Sequence, residues 1–261
     1  LSPYYAYTDS LLDDESNETL AEFAREKIRE RVTDPGLAEK LCPDYPILTR
    51  RLSPETNYLE AFNHANVVLI DLHEQPISRF TSDGIVVGDT EIKLDAVIFA
   101  TGFDVMTGAM DRIDIRGRED QGLKARWAES VTSHLGMMTH GFPNLFFVQQ
   151  NQAAAFIANY PHNLVDHAET VAAVVAHAEA QGHAAVEPSA EAEQQWLDFL
   201  LTGPAARLGS TECTPGYYNN EGQGYGEQER FALGHPAGAL GFFNHIDQWR
   251  RSGAFEGLEF A

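Results

Sequence analysis

Three short apolar runs constrain the fold of this chain most. Val67-Val-Leu-Ile-Asp-Leu72, Ala96-Val-Ile-Phe-Ala100 and Leu145-Phe-Phe-Val148 are rich in β-branched or aromatic residues and end at strand length. Such runs suit strands buried on both faces, as in the parallel sheets of α/β proteins. Between the first two, Asp83-Gly84 and Asp89-Thr90 read as turns, with Ile85–Val87 and Glu91–Leu94 as short strands beside them.

Helical patterns flank these runs. Thr19 followed by Glu22 fits a capping box, and Leu20, Phe23, Ile28 and Val32 then recur at roughly helical spacing. Asp34-Pro35-Gly36 ends that helix, and a second short one, Leu37–Leu41, stops before Pro43. Asn159-Tyr160-Pro161 reads as a helix start, with Leu164, Ala168, Val171, Val174 and Ala178 on one face and Gly182 at the end. The next helix starts near Ser189 and turns Trp196, Leu197, Leu200 and Leu201 inward; Gly203 to Gly238 reads as a long loop. Phe242, Ile246 and Trp249 mark a last short helix.

Composition narrows the function. A chain of 261 residues, 43% hydrophobic, can bury a sizeable core. Its formal charge of −21 repels phosphate backbones, so nucleic acid is not expected as a partner. No apolar run approaches the ~20 residues that cross a bilayer, and Leu1-Ser-Pro-Tyr-Tyr5 has neither the basic nor the apolar part of a signal peptide. Only two cysteines occur, Cys42 and Cys213, far apart and without metal-ligand spacing, which fits a reducing, cytoplasmic setting. The histidines are scattered with no H-E-x-x-H, so no metal site is expected, and no G-x-S-x-G elbow occurs. Gly222-Gln-Gly-Tyr-Gly226 is not read as a phosphate loop, because no strand precedes it and no Lys-Ser/Thr follows.

The segment Leu94-Asp-Ala-Val-Ile-Phe-Ala-Thr-Gly-Phe-Asp104 places a small-residue turn, Thr101-Gly102, at a strand end, where backbone can approach a ligand. On spacing alone the ordinary strand and turn is the favoured reading. Its Asp-x-x-Ile-x-Ala-Thr-Gly run resembles the second cofactor-approach motif of two-dinucleotide-domain flavoproteins. The longer Ala100-Thr-Gly-Phe-Asp-Val-Met-Thr-Gly-Ala-Met110 resembles the flavin-dependent Baeyer–Villiger monooxygenases. Asn57–Val67, Pro76-Ile77, Ile113–Gly117, Gly141–Phe147 and Gly257–Phe260 agree with that family in order and spacing.

The resemblance implies an FAD- and NADPH-dependent enzyme that uses molecular oxygen to convert a ketone, of bulky or long-chain type, into an ester or lactone. The family's route runs through a flavin C4a-peroxide and a Criegee adduct, both anionic at oxygen. The family's basic pair falls on Arg50 and Arg51, which by themselves read as two solvated surface arginines. By resemblance Arg51 is the catalytic arginine, which also lies against the cofactors. A guanidinium stays charged and offers several directed donors to an oxyanion. Arg50 takes the place of the family's binder of the NADPH 2′-phosphate, which a bidentate fork suits. The flavin side falls on Thr101, Gly102, Asn159 and Tyr160, with 149–160 departing from the Gly-Pro-rich turn common in the family. Thr214, Pro215, Tyr217, Tyr218 and Asn219 fall in the family's mobile control loop, near 210–226, on the substrate side. Nitrogen- or sulfur-oxidising flavin monooxygenases and a non-catalytic assembly protein on the same scaffold are the alternatives.

No G-x-G-x-x-G follows a strand here, and the fingerprint between the two dinucleotide domains is also absent. The expected fold is therefore an incomplete two-dinucleotide-binding-domain α/β flavoprotein, the C-terminal portion only. Residues 1–94 are expected to supply a helical excursion and the remaining strands of the NADPH domain, and residues 95–261 the C-terminal part of the FAD domain. Activity is expected to need an N-terminal half, as a missing segment or a second chain.

Overall fold

The computed structural model describes residues 9–11, 13–50, 52–103, 107–128, 131–148, 152–154, 160–203, 215–216 and 234–261. They fall into two compact units, one within residues 8–103 and the other within 104–261.

The first unit opens on helix α1, Asp14–Arg31. It starts a turn and a half before the capping box read from sequence, because the Asp13 carboxylate accepts the Ser16 N–H at 2.8 Å. Thr19 sits inside the helix, where its hydroxyl donates back to the Glu15 carbonyl at 2.9 Å. The buried face is Asn17 and Ala21, and Phe23 points outward at 55% exposure. Hydropathy misplaced this face because its anchor is polar: the Asn17 amide donates to the carbonyls of Ser10 and Ile47, both at 2.8 Å. Asp34 caps α2, Pro35–Leu41, by accepting the Leu37 N–H at 2.9 Å, with Pro35 at the first helical position. Arg31 pairs with Glu55 and Glu60, joining α1 to the short helix α3, Tyr58–Ala61.

Both turns read from sequence join strands of a three-stranded antiparallel meander: β1, Ile77–Phe80, β2, Gly84–Val87, and β3, Thr90–Lys93. Ile85 faces Ile92 and Val87 faces Thr90, and Val86 and Val87 are buried.

The expected doubly buried parallel strands are corrected here. Among the described residues, 67–72, 96–100 and 145–148 belong to no β-ladder. Val68 is 79% exposed and Ile98 91%. A β-branched run supplies the propensity for a strand, but its backbone groups become a strand only against a neighbour. The expected incomplete pair of dinucleotide domains is likewise replaced by two units that each bury apolar side chains of their own: Ala21, Val32 and Leu48 in one, and the clusters around Phe242 and Trp127 in the other.

The second unit contains α4, Leu123–Arg126, α5, Tyr160–Gln181, β4, Val186–Pro188, α6, Ala190–Leu200, α7, Gly238–Ser252, and β5, Leu258–Phe260. β4 and β5 pair antiparallel, with Glu187 opposite Glu259. Ser189 caps α6 by accepting the Ala192 N–H at 3.1 Å. Phe242 and Ile246 of α7 pack fully buried against Trp196 and Leu200 of α6. Each such side chain contributes roughly 1.5–3 kcal/mol.

The inward stripe of α5 is Asn163, His167, Thr170, Val174 and Ala178. Val174 and Ala178 of the stripe read from sequence lie on it, whereas Leu164, Ala168 and Val171 lie beside it, because the first half of the true stripe is polar. Gly182, at φ +77°, ends the helix in a left-handed turn in which the His183 N–H reaches the Ala178 carbonyl at 2.9 Å.

Two buried carboxylates hold this unit together. Glu193, on α6, accepts the His140 N–H at 2.6 Å and pairs with Arg126 of α4 at 3.1 Å. Glu187, on β4, accepts the Gly141 N–H at 2.9 Å and pairs with Arg118 at 2.5 Å. Replacing Glu193 with Ala strands the His140 N–H in the interior, which costs roughly 1–3 kcal/mol. The expected outcome is a lower denaturant midpoint with an unchanged slope, read by urea titration of Glu193→Ala beside the unsubstituted chain.

Candidate functional site

The basic pair begins on a constrained turn. Leu48 is buried at φ +72°, and both the N–H and the hydroxyl of Thr49 donate to the Pro46 carbonyl, at 3.4 and 2.8 Å. The turn carries Arg50 out over the Tyr45 ring, its guanidinium carbon 5.9 Å from the ring centroid. That distance allows a cation–π contact. Below it lies an apolar recess of about 150 Å³, lined by Ala21, Ile28, Leu48 and Leu52 among others. Arg51 lies outside the described residues.

Thr101 and Gly102 belong to the same unit as Arg50 and are exposed. Gly102 stands at φ +92°, and a Cβ added there would meet nothing within 4 Å. Backbone is thus presented to open space in a conformation that only glycine adopts freely. This suits close approach of a large planar or phosphate-bearing ligand.

Tyr160 and Pro215 belong to the other unit, and both are exposed. Tyr160 opens the 22-residue helix α5, whose first turn carries no acidic residue to offset the positive end of the helix dipole. Asn159, Thr214, Tyr217, Tyr218 and Asn219 lie outside the described residues. Just before α5, residues 152–154 are described and buried. The Gln152 side chain accepts from the Ser133 hydroxyl at 2.5 Å and donates to the Val131 carbonyl at 2.8 Å. Its backbone carbonyl accepts the Trp196 indole N–H at 2.9 Å. The Ala153 carbonyl accepts the His235 N–H at 2.9 Å. Sequence reasoning missed Tyr45, Gln152 and Trp196. Trp196 was legible only as a core residue, and the spatial neighbours of Gln152 are 19 to 44 positions away.

Two histidines in this unit are held neutral. Burial pushes His134 down to about 4, against a bond between its Nδ1 and the Ala192 carbonyl at 3.2 Å. Burial alone pushes His167 of α5 down to about 4, and neither of its ring nitrogens has a hydrogen-bond partner among the described residues. Among the described residues no group of three or more His, Cys, Asp or Glu could hold a metal ion, and no helix is long and apolar enough to cross a membrane.

No family model matches the chain. Known proteins do. The chain is 38% identical over 260 residues to a Baeyer–Villiger monooxygenase of Streptomyces coelicolor, an alignment covering 96% of this chain and 42% of that protein. It superposes on an oxidized steroid monooxygenase bound to NADP with TM-score 0.87 and 32% identity, over 98% of this chain and 47% of that one. It superposes on OTEMO in complex with FAD and NADP with TM-score 0.83 and 34% identity, over 97% and 46%. This chain is thus similar, in sequence and in fold, to Baeyer–Villiger-type flavoprotein monooxygenases along nearly its whole length, and it spans about half the length of the relatives it matches.

These superpositions bear on a set of linked expectations: that the chain is the C-terminal portion only, that it is a fragment or subunit, and that activity needs a missing N-terminal half or a partner chain. What they show is a match over 98% of this chain and 47% of the steroid monooxygenase; they show neither a missing half nor a partner chain, and those expectations are not carried forward.

The buried imidazoles give a pH dependence. Below about pH 6.5 the unfolded chain takes up protons at both histidines, while the folded chain does so only near pH 4. Stability is therefore full above about pH 7 and falls as the pH drops from 6.5 towards 4, by about 2 kcal/mol per histidine at pH 5. Urea midpoints measured at pH 7 and pH 5 are expected to differ less in His167→Leu than in the unsubstituted chain.

Proposed function

We propose that this chain serves an FAD- and NADPH-dependent Baeyer–Villiger oxidation, in which a ketone and molecular oxygen give an ester or lactone. The observation that carries this reading is the superposition, over 97% of the chain, on a structure solved with FAD and NADP. The residues at hand fit both groups: Gly102 offers open backbone at φ +92°, the first turn of α5 is free of acidic residues, and Arg50 stands on a fixed turn.

In this reading residues 1–94 serve NADPH and residues 95–261, which include Thr101 and Gly102, serve FAD. Arg50 grips the 2′-phosphate through its planar fork, and Tyr45 beneath it limits the directions in which that fork points. Thr101 and Gly102 let the flavin approach backbone closely. Asn159 and Tyr160 present the positive end of α5 to the flavin's electron-rich edge. Bound FAD supplies the activated oxygen. Arg51 touches both cofactors and stabilises the negative oxygen that develops on the ketone during attack, which side-chain donors of this kind do by roughly 2.7–4 kcal/mol. Thr214, Pro215, Tyr217, Tyr218 and Asn219 close over the substrate. The setting is a reducing, cytoplasmic one, which the free thiol of Cys42 supports; burial pushes that thiol's pKa up, away from reactivity.

The test is to incubate the purified chain with FAD, NADPH, oxygen and a panel of cyclic and long-chain ketones, and to quantify ester by gas chromatography. Ester or lactone is expected. Arg51→Ala is expected to lower its rate of formation by roughly 10²–10³-fold while flavin absorbance stays with the protein. Arg50→Ala is expected to raise KM for NADPH and leave KM for NADH unchanged. Ester formation at the original rate by Arg51→Ala sinks the assignment of Arg51.

A further inference from the structure

Residues 152–154 precede helix α5 and are held in an unusual way. Gln152 is fully buried at φ +54°, a region glycine adopts easily and glutamine does not. Such a backbone persists only when its surroundings over-determine it. Here they do. The Gln152 side chain is spent on the 131–133 segment, through the Ser133 hydroxyl and the Val131 carbonyl. The Gln152 carbonyl is spent on α6, through the Trp196 indole. The next carbonyl, of Ala153, is spent on His235 just before α7. Three elements remote in sequence thus converge on two consecutive residues, and the three bonds that Gln152 itself makes are buried, as are Ser133, Gln152 and Trp196.

A hydrophobic core needs no such arrangement. A leucine or methionine would fill most of the volume of Gln152 without demanding a donor and an acceptor at fixed points. The cost of burying a primary amide is recovered only with every bond made, and those bonds fix position and direction rather than mere proximity.

We propose that Gln152 is a positioning residue: held by Ser133, Val131 and Trp196, it fixes the backbone at 152–154 and, through it, how tightly this unit holds the flavin. This rests on the functional reading above for the placement of FAD, and on the observed bonds for everything else.

Two variants test it. Gln152→Met keeps length and bulk and removes both side-chain bonds. Trp196→Phe keeps an aromatic ring in the core and removes only the indole donor to the Gln152 carbonyl. Phe23→Ser, at an exposed position in the other unit, serves as the control. Each purified chain is titrated with FAD, read by flavin fluorescence and by the visible absorption bands, alongside far-UV circular dichroism. With NADPH and a cyclic ketone present, the ratio of ester to hydrogen peroxide is also measured.

The expected result is native circular dichroism in all variants. In Gln152→Met and Trp196→Phe, FAD should bind at least tenfold more weakly with shifted visible bands, and the ester-to-peroxide ratio should fall; Phe23→Ser should match the unsubstituted chain. If both clasp variants fold and bind FAD with unchanged affinity and bands, the proposal is overturned. If both lose their fold it is also overturned, because the bonds then serve stability alone. An unsubstituted chain that binds FAD but makes no ester refutes the functional reading while the FAD titrations still decide the role of Gln152. An unsubstituted chain that binds no FAD overturns both.

Discussion

The second unit depends on two carboxylates that have left water. Glu187 and Glu193 are about 4% and 3% exposed, and each holds a backbone N–H of the 140–141 turn on one side and an arginine on the other. Burying a carboxylate is costly unless every lone pair is met. These two are met by groups from a turn, a helix and a preceding loop, so the charges cannot be satisfied unless those elements arrive together. That requirement orders the unit. Once α6 is placed by Glu193, its Trp196 stands where the indole meets the Gln152 carbonyl, and α7 packs across Trp196 with Phe242 and Ile246.

Much of the local structure was legible in the sequence. Asp34-Pro35, Ser189 and Gly182 marked helix ends because capping is a short-range interaction whose partners lie within a turn. The hairpin turns at Asp83-Gly84 and Asp89-Thr90 were legible for the same reason. The failures share one cause. Asn17, Asn163, His167 and Thr170 are polar residues on buried faces, and hydropathy assigns them outward. The three apolar runs failed as strands because pairing belongs to two segments and the composition of one cannot report it. In the candidate site, Arg50 and Gly102 were singled out by family resemblance, since spacing alone reads them as a surface arginine and part of an ordinary strand and turn. Tyr45 and the Gln152 clasp were not, since their significance lies in partners that only the fold brings near.

The features proposed to face the cofactors share a physical character. Gly102 presents bare backbone, the first turn of α5 carries no acidic residue, and Arg50 presents a charge stacked over Tyr45. None of them is a reactive group. In the proposed reading they would serve to bind planar rings and phosphate, which is the protein's share of the work when a cofactor carries the chemistry.

One feature of the first unit bears on how the chain behaves in solution. The run through Ile98 and Phe99 to Phe103 is apolar and exposed and belongs to no described ladder, and an unpaired strand-forming edge is a template for other chains. The charge of −21 opposes such encounters by mutual repulsion, whose range is about 8 Å at physiological ionic strength and about 3 Å in molar salt. The acidity that turns away phosphate backbones is also a dispersant for this edge, and the salt concentration of the medium decides how far it reaches.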